Sequence, residues 1–325
     1  MITSGGGGFD PSKLQIEELP IGEGAFGTVY KGKYAGSKEV AVKRIRVSAM
    51  KPGDKLKEDF AREVSLLQDL RHTNIVNFVG AINQPAQQQY CIVTEFCANG
   101  SLFDMLHQQK IRFPFDQQIE IARGIASGMA YLHDQTIIHR DLKSANILMG
   151  KEYTPKICDF GLARVKERVS AAGGGMTIAT GTFAWMAPEI MESSSYNEKA
   201  DIYSFAMVLW EMVTGDTPFE GNEIPYIINF VLREQKRLSL PASAIQSQAA
   251  FYKLITQCWS HNSNDRPSFH EIVHLCQNIP NAGVASSATC KFSTMMACLL
   301  FAAYFQHFTS SNNTLVLQRN FQNEG

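Results

Sequence analysis

The chain reads as an α+β protein of two lobes. Three observations carry that reading. Short apolar and β-branched runs fill residues 14–97, helical spacing takes over across 98–280, and a polar stretch, Ile138 to Leu148, follows directly on the longest helical pattern. Strands first and helices second imply a smaller sheet lobe with one helix, a larger mainly α-helical lobe, and a cleft between them.

With 325 residues, of which 45% are hydrophobic, the chain can fill a core in each lobe. A net charge of -1 provides no chain-wide attraction to nucleic acid or to an anionic membrane, so partners must be recognised locally. The seven cysteines, at 91, 97, 158, 258, 276, 290 and 298, form no Cys-x-x-Cys pair and no zinc spacing, and their number is odd. Free thiols in a reducing compartment follow, with the cytoplasm as the expected location and nuclear access open. Met1 to Ser4, followed by four glycines, lacks the basic start and apolar core of a signal peptide.

Residues 1–13 are glycine-rich and aperiodic and are expected to be a flexible lead-in. From Leu14 strand-like runs begin. Gly22, Gly24, Ala25, Phe26 and Gly27 form a glycine turn between two of them, and glycines there let backbone N–H groups approach phosphate oxygens, with Phe26 at the tip shielding the site. Such a turn alone fits a dinucleotide loop or a plain hairpin equally well. A dinucleotide loop runs into a helix, however, and this one runs into strand-like Val29-Tyr30-Lys31, with Val40-Ala41-Val42-Lys43 following.

Phe60, Val64, Leu67 and Leu70 recur at helical spacing, which predicts an amphipathic helix with Glu63 beside its apolar stripe. Two more strands are predicted over 72–82 and 90–96, separated by a turn over 84–89. Asn99-Gly100-Ser101-Leu102 predicts a turn in which Ser101 or Asn99 caps a helix over 102–107. A long helix follows over 115–133, with Ile119, Ala122, Ile125, Ala126, Met129 and Leu132 on its buried face. Asp201 to Glu211 is apolar almost all round and should be a buried central helix.

The stretch His139-Arg140-Asp141-Leu142-Lys143-Ser144-Ala145-Asn146, completed by Asp159-Phe160-Gly161, puts two acids and an amide between apolar flanks. Asp141 can take a proton from an incoming hydroxyl, while Asn146 and Asp159 offer oxygens to a hard divalent cation. An isolated Asp-Phe-Gly is an ordinary turn, but the longer stretch and the ordered upstream motifs make it specific. Here the sequence resembles the protein kinases, whose catalytic loop reads His-Arg-Asp-Leu-x-x-x-Asn and whose metal loop reads Asp-Phe-Gly. Lys143-Ser144-Ala145-Asn146 and Gly181-Thr182-Phe183-Ala184-Trp185-Met186-Ala187-Pro188-Glu189 resemble the tyrosine-kinase-like group, which includes the Raf and mixed-lineage kinases.

That resemblance implies a two-lobed kinase fold with an antiparallel sheet, and a serine/threonine kinase that uses ATP with Mg²⁺, Mn²⁺ being the other candidate metal. It implies Asp141 as the base, Lys43 on the α- and β-phosphates, Lys143 on the γ-phosphate, and Asn146 with Asp159 on the metal. Glu63 would orient Lys43, with Glu58 as the competing candidate. Val29, Ala41 and Leu148 would line the adenine pocket, Thr94 would stand at its back, and Glu95 to Cys97 would form the hinge. Cys158, just before Asp159, is expected to face that pocket and to be open to electrophiles, a buried inert thiol being the alternative.

Arg140 would pair with a phosphate on the segment 159–189, for which Thr177 and Thr180 are the candidate phosphosites, modified by an upstream kinase or by a second copy in trans. Thr182 would bond near Asp141 and Lys143, Asp201 would hold the catalytic loop's backbone, and Arg266 would pair with Glu189. The partner is a protein substrate. Two alternatives stay open, a nucleotide-binding pseudokinase scaffold and a dual-specificity kinase. Residues 281–325 depart from the resemblance, and their apolar run 294–308, broken by Gln306 and His307, falls short of the ~20 residues a membrane helix needs.

Overall fold

The computed structural model describes residues 9–24, 27–45, 55–84, 89–159, 164–165, 180–192, 197–241 and 248–280. The chain divides into two compact units, Met1–Ile279 and Pro280–Gly325. The apolar run 294–308 lies outside the described residues.

The first lobe is one five-stranded antiparallel sheet and a helix. Strands β1 (Leu14–Gly24), β2 (Gly27–Tyr34), β3 (Lys38–Ile45), β4 (Phe78–Gln84) and β5 (Gln89–Glu95) take the order β1-β2-β3-β5-β4, with helix α1 (Lys55–Asp69) between β3 and β4. Alternation along β5 explains how the sheet has two apolar faces. Tyr90 and Ile92 join the main core with Phe60, Val64 and Leu67 of α1, while Cys91 and Val93 join Val40, Val42 and Ile82 in a second cluster.

Phe9 covers that second cluster. Its ring is 5% exposed and stacks on Tyr34 at 5.0 Å between centroids, and a Cβ on Gly80 would stand 2.2 Å from it. Asp10 then caps a short turn over Pro11–Lys13. Residues 9–13, expected as part of a flexible lead-in, are thus held by the Phe9 anchor and the Asp10 cap, and residues 1–8 lie outside the described residues.

The second lobe contains α2 (Phe115–Asp134), the short strands β6 (Ile137–Ile138), β7 (Ile147–Met149), β8 (Pro155–Ile157) and β9 (Arg164–Val165), and five further helices. These are α3 (Pro188–Glu192), α4 (Lys199–Thr214), α5 (Ile224–Ile228), α6 (Ala249–Cys258) and α7 (Phe269–Gln277). β7 pairs with β8 and β6 with β9, both antiparallel. α4 is buried at every position from Ala200 to Met212 and forms the centre of this lobe.

Two local expectations change. The strand predicted over 72–82 starts only at Phe78. Before it, Ile75 bridges Ile157, Val76 N–H donates to Ile157 O at 3.0 Å, and Ile157 N–H donates to Asn74 O at 2.9 Å. These apolar residues thus join β8 instead of extending β4. After Ser101, the helix predicted over 102–107 widens into a π-turn over Asp104–Gln108. Ser101 is the residue that caps it, its Oγ accepting from Asp104 N–H at 3.1 Å, whereas Asn99 donates to Gly150 O at 2.7 Å.

Candidate active site

The loop between β6 and β7 is held from below by α4. Asp201, in the first turn of that helix, accepts the backbone N–H of His139 and of Arg140, each at 2.9 Å, and contacts His133 Nε2 at 2.9 Å. Burial opposes its charge, but the His133 bond, the charges of His133 and His139 and the Arg140 N–H prevail and lower its pKa. Arg140 sits in the left-handed region at φ 71°, a conformation costly for a residue with a Cβ, and the two bonds from its own and the preceding N–H fix it there.

The same loop is tied to the strand that precedes Asp159. His139 Nε2 lies 3.0 Å from Cys158 O, and Cys158 N–H donates to Asn146 O at 3.0 Å. Within the loop, Asn146 Nδ2 donates to Asp141 O at 2.7 Å and to its Oδ2 at 3.0 Å, and Lys143 Nζ lies 2.9 Å from the same carboxylate oxygen. Asp141 and Asn146 are each 6% exposed. Asp141, Lys143 and Asn146 are therefore held together by direct contacts within the loop.

Lys43 brings the sheet lobe to this loop. β3 places it opposite Val29 and Ile92, and its Nζ lies 2.6 Å from Asp159 Oδ1. Burial works against the ammonium, but the Asp159 and Glu63 carboxylates outweigh it and hold its pKa above the ordinary lysine value. The direct partner of Lys43 is thus Asp159. Glu63 acts on it as a nearby charge, and its own pKa is raised, first by burial and also by Asp159, with Lys43 opposing. Asp159 also has a left-handed backbone, φ 62°.

The three glycines of the first turn differ in kind. A Cβ at Gly22 or Gly24 would meet nothing within 4 Å, whereas one at Gly27 would stand 2.1 Å from Arg44 O. Gly22 and Gly24 leave room for a ligand, and Gly27 is demanded by the close approach of β3. Ala25 and Phe26 lie outside the described residues.

Val29 and Ala41 are half-buried on adjacent strands, and Ala41 pairs with Thr94 across β3 and β5. Thr94 Oγ1 is 3.3 Å from Glu95 O. The Glu95 side chain is engaged elsewhere, accepting Asn77 N–H at 2.8 Å and pairing with Lys156 at 2.8 Å. From the second lobe, half-buried Leu148 bridges Ser101, and Met149 N–H donates to Gly100 O at 2.9 Å, so the segment after Cys97 is fastened to β7.

Cys158 does not have the environment of a reactive thiol. Its side chain packs against the main core, and burial together with the Asp159 charge pushes its pKa well up. Cys97 is also pushed up, to about 11, by burial and by Glu95.

Thr177, Phe160 and Gly161 lie outside the described residues, as do the side chains of Thr180 and Thr182. Thr180–Trp185 forms a 3-10 turn leading to α3. Beyond it, Glu189 receives both terminal nitrogens of the buried Arg266 guanidinium, at 2.6 and 2.9 Å. Sequence reading missed two features. Glu211 is fully buried and bonded to His107, Ser144 and Trp185, and its only signal was an acid inside an otherwise apolar helix. Exposed Ile21, next to Gly22, adds an apolar side chain beside the glycine turn.

Among the described residues, no group of three or more His, Cys, Asp or Glu side chains could hold a metal by itself. A Mg²⁺ ion bound with nucleotide phosphates takes only about one or two protein carboxylates, and the donor types of Asn146 and Asp159 suit it.

A lysine from a sheet lobe set on an aspartate of a helical lobe, beside an open glycine turn and a locked Asp–Lys–Asn loop, defines a phosphate-handling site of the two-lobed phosphotransferase type. The profile of the protein tyrosine and serine/threonine kinase family matches residues 15–276, and the chain belongs to that family. It is 38% identical to serine/threonine-protein kinase STY46 of Arabidopsis thaliana, over 91% of this chain and 50% of that protein. To serine/threonine-protein kinase CTR1 of the same plant it is 39% identical, over 83% of this chain and 32% of that protein. Serine/threonine/tyrosine-protein kinase HT1, also from Arabidopsis, is 40% identical over 81% of this chain and 66% of its own length. The chain thus spans about half the length, or less, of most of these relatives.

Proposed function

We propose that this chain is an active serine/threonine protein kinase that uses ATP with Mg²⁺. The observation that carries the reading is the constellation at the catalytic loop. Asp141 is held by Asn146 Nδ2 at 3.0 Å and by Lys143 at 2.9 Å, and the loop is tied through Cys158 to the strand end that sets Asp159 on Lys43. Bound ATP with its metal supplies the γ-phosphoryl group and an electrophilic phosphorus. Asp141 orients the substrate hydroxyl and accepts its proton, and Lys143 stands where it can balance charge on the group in transfer. Lys43 would hold the α- and β-phosphates, and Asp159 with Asn146 would hold the metal. Glu63, close enough to act on Lys43, then becomes its partner. Gly22, Gly24 and Gly27 cover the phosphates, and Val29, Ala41, Thr94, Cys97 and Leu148 take the base, with the backbone of Glu95 to Cys97 as its hydrogen-bonding edge.

Relatives named as serine/threonine kinases support the hydroxyl specificity, and the HT1 name favours dual specificity as the second reading. Protein substrates and control by phosphorylation at Thr177 or Thr180 belong to the same proposal, as does a cytoplasmic location. Phosphoamino-acid analysis of the purified chain after incubation with labelled ATP and Mg²⁺ separates the readings. Label on serine and threonine alone supports the first, added phosphotyrosine supports the second, and no label above that of Asp141→Asn, even after treatment with an activating kinase, overturns both.

A further inference from the structure

Helix α4 is buried on all sides yet carries Asp201, Ser204 and Glu211 in its interior. At about 100° per residue these three fall within about 80° of one another, a polar stripe on an apolar helix. Each member of the stripe holds part of the site. Asp201 takes two N–H groups of the catalytic loop, and Ser204 Oγ donates to Trp185 O at 2.8 Å.

Glu211 joins three segments at once. Its side chain is 0% exposed, Oε1 accepts from His107 Nε2 at 2.9 Å and from Ser144 Oγ at 2.7 Å, and Oε2 accepts from Trp185 Nε1 at 2.7 Å. An ionised carboxylate only accepts, so it satisfies all three donors, while a glutamine would turn an NH₂ group toward one of them. His107 Nδ1 faces the Thr217 hydroxyl at 3.4 Å, which suits an Nε2–H directed at Glu211. Burial raises the Glu211 pKa, with the bonds from His107, Ser144 and Trp185 opposing.

Ser144 opens the turn Ser144–Asn146, between Asp141 and Asn146. Trp185 closes the turn Thr180–Trp185. We propose that Glu211 is a positioning residue for phosphoryl transfer, fixing the loop that carries Asp141 and Asn146 against the segment that ends at Trp185. The inference rests on the kinase reading above. Glu211 touches no reacting group and acts through Ser144 and Trp185, where a displacement of about 1 Å is worth roughly a hundredfold in rate.

Ser144→Ala, Trp185→Phe and their double variant, made in the full chain, each remove one donor without touching Glu211. The readouts are kcat and KM for ATP and for a general protein substrate, per folded molecule by circular dichroism. Each single variant should lower kcat by about tenfold to a hundredfold with KM for ATP within about twofold of wild type. The double variant should lose little more than the worse single, because either break uncouples the two segments, and Ser144→Thr should recover most of the loss. Single variants with kcat within about twofold of wild type, or a double variant whose loss is the product of the two, would overturn the inference while leaving the kinase reading intact. A wild-type chain that transfers no phosphate overturns the kinase reading and this inference together.

Discussion

Gly27→Ala and Gly24→Ala separate what the glycine turn does for the fold from what it does for a ligand. At position 27 the new Cβ would lie 2.1 Å from Arg44 O, 3.0 Å from Arg44 C and 3.3 Å from Ile45 Cα, all backbone atoms of the paired strand. Contacts below about 3 Å are not tolerated, so β2 and β3 must part at this end of their ladder, and the Gly27–Ile45 pairing goes with them. Overpacking of this kind costs about 1–3 kcal/mol, or about 2–12 °C of melting temperature in a domain of this size. At position 24 the Cβ meets nothing within 4 Å, so the ligand-free protein should melt within about 1–2 °C of wild type. Its effect should appear only with nucleotide present, as a binding loss of about 1–2 kcal/mol where a methyl group replaces an approach open to phosphate. Differential scanning fluorimetry with and without ADP and Mg²⁺ reads both quantities. If Gly24→Ala destabilises the ligand-free protein as much as Gly27→Ala, or leaves the nucleotide-induced shift unchanged, the division between the two glycines is refuted.

Three further outcomes follow from buried groups. Arg266→Ala removes five hydrogen bonds from a fully buried guanidinium, two of them to Glu189, so unfolding in urea should show a loss of about 3–5 kcal/mol, and a loss below about 1 kcal/mol would contradict the pairing. Phe9→Ala uncovers the second apolar cluster and should cost about 3–5 kcal/mol in urea unfolding, and a loss below about 1 kcal/mol would contradict its place in that cluster. The Cys158 thiol has its pKa raised, so it stays protonated throughout the range in which an ordinary cysteine, near 9.0, begins to ionise. Iodoacetamide labelling followed by mass spectrometry should therefore leave Cys158 unmodified at pH 7.5 and at pH 9, with or without nucleotide, and rapid alkylation would show that the thiol is not held down by its surroundings.

The parts of the fold that were legible in the sequence are those governed by local pattern. The α1 stripe, the 115–133 helix and the buried α4 all follow from apolar spacing; the 115–133 helix ends within one residue of expectation, while α1 begins earlier, at Lys55, and α4 runs from Lys199 to Thr214. What sequence did not show depends on distant partners. Ile75 and Val76 looked like the start of a strand, and only β8, some eighty residues on, draws them away. Phe9 looked like part of a tail because nothing local reveals that Gly80 leaves a socket for its ring. Within the site, Asp141, Lys143 and Asn146 were legible as a cluster because they lie within one short loop. The Lys43–Asp159 contact crosses 116 residues, so no local pattern shows it, and Glu63 acts on Lys43 there as a nearby charge. Glu211 escaped notice because a single acid at the end of an apolar run resembles a helix terminus until its three donors are seen.

The most direct test of the central claim is a comparison of phosphoryl transfer by the wild-type chain and by Asp141→Asn, purified side by side. Labelled ATP, Mg²⁺ and a general protein substrate are used, and nucleotide binding is checked by the thermal shift each protein shows with ADP. The account predicts that both proteins bind nucleotide and that only the wild type labels substrate. Asp141→Asn keeps a side chain of the same shape but loses the proton acceptor, so its transfer rate should fall by about 10²-fold or more. Equal labelling by the two proteins, or a wild type that binds nucleotide and transfers nothing even after treatment with an activating kinase, would contradict it.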